Sequence, residues 1–542
     1  MRNGLPALGG GESSGQIRMS THLYSKRKVC NLIFIGYKLI IRGDNTMQAK
    51  AGDVYCVYNE KLKKYTACQI TKVEDKDGKQ MAVKLSLNWS GEEPLKEEEL
   101  SDLRPLYVDY MYWDNSPDMN NVEVDVPGKY IFVGNVAPIM DESSDSYSDG
   151  WGSGDVIYRQ LRWQDIPKEK RDAFKAADKS EEKVILEGEE CRISRRNMSD
   201  EWSPFEDVLS LRVFPCLSHL TLHKWYKNLY EYLEGYPFLR ELELNNHGQK
   251  KLDFSKSYID RLSVDMTGVE ELVLNDGMEH LILFGEVSDN CKIRIEDNGS
   301  TLILYVDGKL PRLSGLDNLE SLHIRSIMKL DIEEVLSRYP DLLELRLWGK
   351  PGNLINFDKL SGFSKLRFFS TMELFGFSEK DIPEPECFPN LCSLWMDSLP
   401  EDAAKKIKTL YKNRAKEGLH LWITKARKPE WLAQNLDNPF RSWDGRDNVT
   451  PANAKKAADL YRKLRAEVVK HIEKSDITDN IEDLVRTYTE GFNKMDKRKF
   501  FITTIERDEV YDALSEILDL IPDELAIDKN RMIEVFDEVK EF

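Results

Sequence analysis

A nine-residue pattern that recurs in the middle of the chain constrains the fold more than any other feature. It occurs at residues 214–222, 236–244, 339–347 and 388–396, and each copy reads aromatic, Pro, any residue, then Leu-x-x-Leu-x-Leu, with Met ending the last copy. This alternation of apolar and other residues predicts a strand with one buried face. Recurrence at a period of roughly 20–30 residues is typical of a solenoid, in which each repeat packs on its neighbours.

Related strand patterns lie between these copies, at residues 259–264, 269–274, 278–283 and 319–324. The first three begin only about ten residues apart, which leaves room for a strand and a turn but not for a helix. In the longer repeats, apolar residues at helical spacing precede Tyr236 and Tyr339, and this spacing predicts a short helix before each strand. The pattern therefore predicts strands along a concave face and helices along a convex face.

Residues 210–425 resemble a degenerate bacterial leucine-rich-repeat domain, and we expect that domain to occupy residues 210–436. The family places an Asn three positions beyond the last strand leucine, where this chain has His247, Gly277 and Lys350. Because that Asn is missing, the resemblance leaves the curvature and the number of repeats open. It implies a domain that binds another protein.

Residues 47–165 carry short apolar and β-branched runs separated by turn residues, which predicts a small all-β domain. Asp77-Gly78 between two of these runs is typical of a hairpin turn. Three phrases, at residues 51–57, 64–70 and 129–134, resemble the immunity protein 26 family of bacterial polymorphic-toxin systems. That resemblance implies a protein that binds and neutralises a toxin.

Two stretches are predicted to connect domains rather than to form them. Residues 141–155 are rich in acids, serines and glycines and contain no basic residue, so we expect a mobile loop or linker. Residues 166–209 show no repeat pattern and are expected to link the all-β domain to the repeats.

Residues 437–542 predict a separate helical domain of four helices. Thr450 is a suitable N-cap for the first helix, and Thr503 with Glu506 forms the capping-box pattern of the third. Residues 431–446 and the helices after them resemble the tail of bacterial repeat proteins often labelled gliding-motility proteins, a label that implies no particular activity. The expected fold class is thus multidomain α+β, with an all-β domain, an irregular leucine-rich-repeat solenoid and a helical domain.

The charge of the chain limits the classes of partner that we expect, and its cysteine content indicates the compartment. The chain has 77 basic and 95 acidic side chains, a net charge of −18. Such a field repels phosphate backbones and anionic lipids, so we predict neither nucleic acid nor membrane as a partner. The same charge favours a basic protein partner, but it also keeps a protein in solution without any partner. Eight scattered cysteines lack the density of a disulfide framework, so we predict a cytoplasmic location.

The sequence offers little chemistry. It contains no P-loop, zinc-protease, hydrolase or dinucleotide-binding motif, and its eight histidines show no metal-ligand spacing. We therefore predict a protein that is not an enzyme, with no catalytic residues, cofactor or metal. Two alternatives stay open beside the immunity protein, namely an interaction scaffold and an enzyme with an unrecognised pocket, because catalytic groups can assemble from distant positions.

The candidate partner-binding residues are those that the repeat pattern directs away from the core on the predicted concave strands. Six of the eleven are glutamates, so we expect this face to attract a basic protein such as a toxin domain. Trp395 differs from the rest, because an accessible tryptophan suits a binding hot spot. The eleven residues are His219, Arg240, Glu241, Glu243, Glu270, Glu271, Glu320, His323, Glu344, Arg346 and Trp395. The oligomeric state is left open.

Residues 1–46 are expected to be a non-native or disordered extension. Codons for Arg42, Gly43 and Asp44 can contain a ribosome-binding sequence at a suitable distance before Met47, which predicts that translation starts at Met47. Intact mass spectrometry of the protein isolated from its native host is expected to give the mass of a chain beginning there. A mass that includes residue 1 would contradict this prediction.

Overall fold

The computed structural model describes residues 47–542 except residues 77, 145, 147–149, 153, 290, 436–437, 475, 498–499 and 526. The expected extension at residues 1–46 lies outside this range. The described residues belong to two compact units, one ending at Lys428 and one beginning at Pro429. Helices and strands both occur, with a sheet at the N-terminal end and helices at the C-terminal end, which confirms the mixed α and β class.

The first sheet has five antiparallel strands in the order β6-β3-β2-β1-β7. As predicted, β2 and β3 form a hairpin, although Asp77 of its turn lies outside the described residues. Beside this sheet, β4 and β5 form a separate two-stranded pair. The strands are β1 (Asp53–Asn59), β2 (Lys64–Lys76), β3 (Lys79–Gly91), β4 (Tyr107–Val108), β5 (Ser116–Pro117), β6 (Met119–Glu123) and β7 (Ile131–Asn135).

The acidic stretch at residues 141–155 differs from the mobile linker that we expected. Trp151 is only 5% exposed and packs edge-on against Tyr55, with 5.5 Å between the ring centroids. The indole nitrogen of Trp151 donates to the backbone oxygen of Glu123 at 2.9 Å. The ammonium group of Lys84 donates to the backbone oxygen of Trp151 at 2.6 Å. A large aromatic side chain among polar residues thus anchors residue 151 to the sheet.

Residues 166–209 also differ from prediction, because they fold as part of the first unit. Helix α1 (Asp155–Gln164) lies just before this region, so the expected all-β domain ends in a helix, and α2 (Lys168–Asp178) lies within the region. A hairpin, β8 (Lys183–Leu186) and β9 (Glu189–Arg192), and a strand, β10 (Asn197–Ser199), follow. The sequence did not predict these elements, because they are short, rich in charged residues and contain no long apolar run that would indicate a buried helix or strand.

The repeats form an eleven-stranded parallel sheet that begins with β10 and follows chain order, here called the main sheet. Its register places equivalent leucines side by side, for example Leu242, Leu262 and Leu281, and all three are buried. After β10 the strands are β11 (His219–Leu222), β12 (Glu241–Leu244), β14 (Arg261–Asp265), β16 (His280–Phe284), β18 (Ile303–Asp307), β20 (Ser321–Asp331), β21 (Glu344–Ile355), β22 (Phe368–Phe375), β23 (Ser393–Pro400) and β24 (His420–Arg427).

The remaining strands form a second parallel sheet, which changes the interpretation of the ten-residue repeats. Its members alternate along the chain with those of the main sheet and are β13 (Lys251–Asp253), β15 (Glu271–Val273), β17 (Cys291–Arg294) and β19 (Leu313–Ser314). The pattern at residues 269–274 therefore lies in the second sheet, whereas its neighbours at 259–264 and 278–283 lie in the main sheet. Two strands facing one core from opposite sides show the same alternation, so sequence cannot tell them apart.

Helices take the place of the second sheet at both ends of this region. The predicted helices before Tyr236 and Tyr339 are confirmed as α3 (Leu229–Gly235) and α4 (Ile332–Arg338), and α5 (Glu401–Leu410) and α6 (Lys412–Lys416) precede β24. A single hydrophobic core runs from Trp163 to Ile423 between the main sheet and these elements.

The second unit is helical, as predicted, and consists of α7 (Pro429–Asn435), α8 (Pro451–Glu473), α9 (Ile477–Asp496), α10 (Thr504–Leu518) and α11 (Lys529–Val539). Thr450 caps α8 by accepting from the backbone nitrogen of Asn453 at 3.2 Å, and Thr503 with Glu506 forms the capping box of α10. Burial alone would raise the pKa of Glu506, but hydrogen bonds from Thr503 and Arg446 lower it to about 2. The core includes Phe440, Trp443, Tyr488, Phe492 and Phe536.

The packing of α2 predicts that residues 166–209 contribute strongly to stability. Phe174 is 0% exposed and lies 4.9 Å from Phe238 and 5.6 Å from Trp163 between ring centroids. Phe174→Ala is expected to lower the free energy of unfolding by about 3–5 kcal/mol in chemical denaturation, because it removes a buried aromatic ring. Glu169→Ala, at an exposed position of the same helix, should change it by less than about 1 kcal/mol. Equal effects of the two substitutions would show that α2 is only a linker.

Candidate functional site

The outer face of the main sheet is the candidate site, because its side chains point away from the core. The parallel register sorts these side chains into two rows that run across the sheet. The first row contains His219, Glu241, Arg261, His280, Ile303, Ser321, Glu344, Phe368, Ser393 and His420. The second row contains Thr221, Glu243, Ser263, Ile282, Tyr305, His323, Arg346, Ser370, Trp395 and Trp422.

Most of the predicted partner-binding residues belong to this face. His219, Glu241 and Glu344 lie in the first row, and Glu243, His323, Arg346 and Trp395 lie in the second. Arg240 and Glu320 each directly precede a first-row residue.

Glu270 and Glu271 do not lie on this face, so the expectation that they share one face with the other candidates is wrong. Glu271 begins β15 of the second sheet, and Glu270 precedes it. Their carboxylates bind basic side chains of that sheet, with Lys250 at 2.9 Å from Glu270 and Arg294 at 2.6 Å from Glu271. The error follows from the two interleaved sheets, because the sequence pattern treated β15 as a strand of the main sheet.

At the start of the main sheet, acids and bases neutralise one another. Oε1 of Glu241 lies 3.2 Å from His219 Nε2, and its Oε2 lies 4.0 Å from the Nε atom of Arg261. Arg240 forms an ion pair with Asp260. The glutamates here therefore contribute less free negative charge than the sequence suggested, and Arg261 and Asp260, which sequence reasoning missed, supply part of that balance.

The centre of the face holds a buried polar cluster around Glu344. Its carboxylate accepts from Ser321 Oγ at 3.1 Å and His323 Nε2 at 3.2 Å, and it also binds the Nε atom of Arg346. Burial by itself would raise the pKa of Glu344, but these hydrogen bonds and the charge of Arg346 lower it to about 2. His323 is only 4% exposed, and burial lowers its pKa.

The aromatic ring of Tyr305 connects this cluster to a second histidine. Tyr305 packs edge-on against His323 with 4.5 Å between ring centroids, and its hydroxyl lies 3.3 Å from Nδ1 of His280. Burial, helped by the charge of Arg261, lowers the pKa of His280 to about 4, so this histidine is neutral at pH 7. The centre of the outer face thus consists of packed aromatic and imidazole rings and of charged side chains that pair with one another.

The cluster has the residue types of a catalytic triad but not its arrangement. A nucleophilic hydroxyl must hydrogen-bond to the base that activates it. Ser321 instead donates to Glu344, the carboxylate that also binds His323. With His323 buried, the geometry favours a structural role for these residues, which hold the strands in register at the centre of the sheet.

The last three strands present a different surface, here called the aromatic end, made of Phe368, Trp395 and Trp422. Trp395 pairs in register with Trp422, which is 50% exposed, while Trp395 and Phe368 are half-buried. Trp422 was missed from sequence because its strand lacks the aromatic-Pro signature. Accessible tryptophans on a rigid sheet can bury a large area on a partner at a low entropic cost.

Comparison with known protein families and with curated proteins finds no match to this chain. Among the described residues, no helix combines the length and apolar character needed to cross a bilayer. Over the same residues, no group of three or more His, Cys, Asp or Glu side chains is placed to hold a metal ion.

The cluster predicts a pH-dependent contribution to stability. Folding lowers the pKa of Glu344 from 4.5 to about 2, so its charged form stabilises the fold fully above about pH 4.5, and this contribution is lost as the pH falls towards 2. Glu344→Gln is expected to lower the free energy of unfolding by about 3 kcal/mol at pH 7, measured by chemical denaturation, with a difference from wild type that shrinks below pH 4.5.

Glu320 provides the matched control. Burial, with the charge of Glu60, raises its pKa, so its charged form costs stability at neutral pH. Glu320→Gln should therefore leave stability at pH 7 unchanged or slightly higher. A Glu344→Gln variant as stable as wild type at pH 7 would rule out the stabilising role of the cluster.

Proposed function

We propose that residues 197–427 form an irregular leucine-rich-repeat solenoid that binds another protein through the outer face of its main sheet. The observation that supports this most directly is the aromatic end, where Trp422 is half exposed beside Trp395. Tryptophan is among the side chains that most often contribute strongly to the binding energy of protein interfaces.

The surroundings of the aromatic end have the composition of a binding-site rim. The guanidinium of Arg367 lies 5.8 Å from the ring centroid of Phe368. Asp397 accepts from Thr424 at 2.6 Å and forms an ion pair with Lys425 at 3.6 Å. A central group of aromatic side chains surrounded by charges that already have partners is typical of protein interfaces, because binding then leaves few charges unpaired.

We further propose that the partner is a toxin and that the chain is a cytoplasmic immunity protein. This step rests on the resemblance of residues 51–57, 64–70 and 129–134 to the immunity protein 26 family. Neutralisation would occur by steric occlusion, with no chemistry on the partner. The net charge of −18 would accelerate encounter with a basic toxin, and the glutamates of the outer face would assist mainly in orientation.

The experiment is co-purification from the native host with identification of captured proteins by mass spectrometry. A protein that arrests growth when it is expressed alone, and that this chain neutralises when both are expressed, is expected. Trp395→Ala with Trp422→Ala should weaken the purified complex by at least about tenfold in calorimetry and should restore toxicity.

Two charge-reversal pairs separate the faces of the repeat region. Glu241→Lys with Glu243→Lys, on the outer face, should slow association with a basic partner most strongly at low salt. Glu270→Lys with Glu271→Lys makes the same charge change on the second sheet, so it should slow association less and leave dissociation unchanged. Capture of a protein that does not impair growth would contradict immunity, and equal effects of the two pairs would contradict binding through the outer face.

A further inference from the structure

A cleft of about 410 Å³ lies in the first unit, where α1 and the loop at residues 110–112 approach the starts of β10, β11 and β12. This volume suits a small organic molecule. Tyr112, Trp163 and Phe238 form part of its wall, so a flat ligand would find aromatic surfaces to pack against.

Four arginines line this cleft against two carboxylates, which is unusual in a chain with a net charge of −18. Two of the arginines already have acidic partners. Arg240 is paired with Asp260, and Arg196 binds Asp178 at 2.6 Å while its guanidinium lies over the ring of Tyr112 at 3.7 Å. The other lining carboxylate, Glu241, is occupied by His219.

Arg159 and Arg162, three residues apart on α1, are the other two arginines of this cleft. Within the described part of the chain, neither forms an ion pair with a carboxylate. Arg162 donates to the hydroxyl of Tyr158 at 3.2 Å. Arg159 interacts with the hydroxyl of Tyr110 and is attracted by the carboxylates of Glu279 and Asp155. Both carboxylates also have other partners, Lys61 at 2.6 Å from Glu279 and the Asn59 amide at 2.8 Å from Asp155. Residues i and i+3 share a helix face, and both arginines line the same cleft.

The backbone beside Arg162 is shaped to its guanidinium. A Cβ atom at Gly277 would lie 2.6 Å from Nη1 of Arg162, so a larger residue there would displace the arginine. Gly277 therefore leaves room for the guanidinium of Arg162 at this position. A guanidinium that has no ion pair with a carboxylate among the described residues is suited to bind an oxyanion.

We infer that this cleft binds a small organic anion with a flat aromatic body, held by Arg159 and Arg162 at its carboxylate or phosphate and by the aromatic wall along its ring. Guanidinium groups suit either oxyanion, since both accept paired hydrogen bonds. This site is separate from the aromatic end that would bind a protein.

Isothermal titration calorimetry of the full chain tests the inference with four probes. Phenyl phosphate and benzoate carry both features, inorganic phosphate carries only the charge, and phenol carries only the ring. Phenyl phosphate or benzoate should bind at least about tenfold more tightly than inorganic phosphate and phenol. The stronger of the two aromatic anions identifies the oxyanion.

Three variants assign the binding to this cleft. Arg159→Gln with Arg162→Gln should weaken binding of the preferred aromatic anion by at least about tenfold. Gly277→Ala keeps every charge and should also weaken it, because it displaces Arg162. Arg312→Gln, at an exposed position elsewhere in the same unit, should leave affinity unchanged.

Several results would overturn the inference. These are failure of both aromatic anions to bind the wild-type chain at millimolar concentration, equal affinity of the arginine variants and wild type, or equal affinity for inorganic phosphate and the aromatic anions. If the double arginine variant does not fold, as judged by circular dichroism, an unchanged affinity in Gly277→Ala overturns it. Growth protection by the intact chain tests the immunity proposal separately, so the two can fail independently.

Discussion

The stacking of parallel strands in the main sheet is the constraint on which the first unit depends. Each strand places its inward leucines beside those of the strand before it, as Leu242, Leu262 and Leu281 do, and the core extends with each turn of the chain. Because every turn contacts mainly its neighbours, each can vary in length if it still returns a strand in register. The turns of this chain do vary, because in some of them a helix packs against the main sheet and in others a strand of the second sheet does.

Strict register inside the core fixes the order of side chains outside it. Neighbouring strands bring together residues some 20 positions apart, so charges of the two outer rows meet and pair, as His323 and Arg346 of the second row do with Glu344 of the first. Such pairing stabilises the centre of the sheet and removes it as a source of free charge. Large side chains that remain accessible to a partner lie instead at Trp395 and Trp422. The same arrangement thus separates a stabilising region from a region suited to binding.

The N-terminal elements add a surface that the repeats alone do not have. Helix α1 and the loop at residues 110–112 close one side of a cleft whose other side is the start of the main sheet. Lys61, which follows β1, reaches Glu279 at 2.6 Å, and Lys63 reaches Asp297 at 3.1 Å, so ion pairs join this part of the chain to the repeats. Helix α1 thereby places Arg159 and Arg162 in the lining of the cleft, beside the starts of these strands.

The sequence by itself determined the strands with Leu-x-x-Leu, the helices before Tyr236 and Tyr339, and the caps at Thr450 and Thr503, because periodicity and capping are local properties. Only the tertiary structure decided which sheet each short strand joins. Glu270 and Glu271 were misplaced for this reason, since two strands that face one core show the same alternation. Pairing of charges such as Glu241 with His219, exposure of Trp422 and the cleft lined by α1 also depend on contacts between distant residues, which no local pattern encodes.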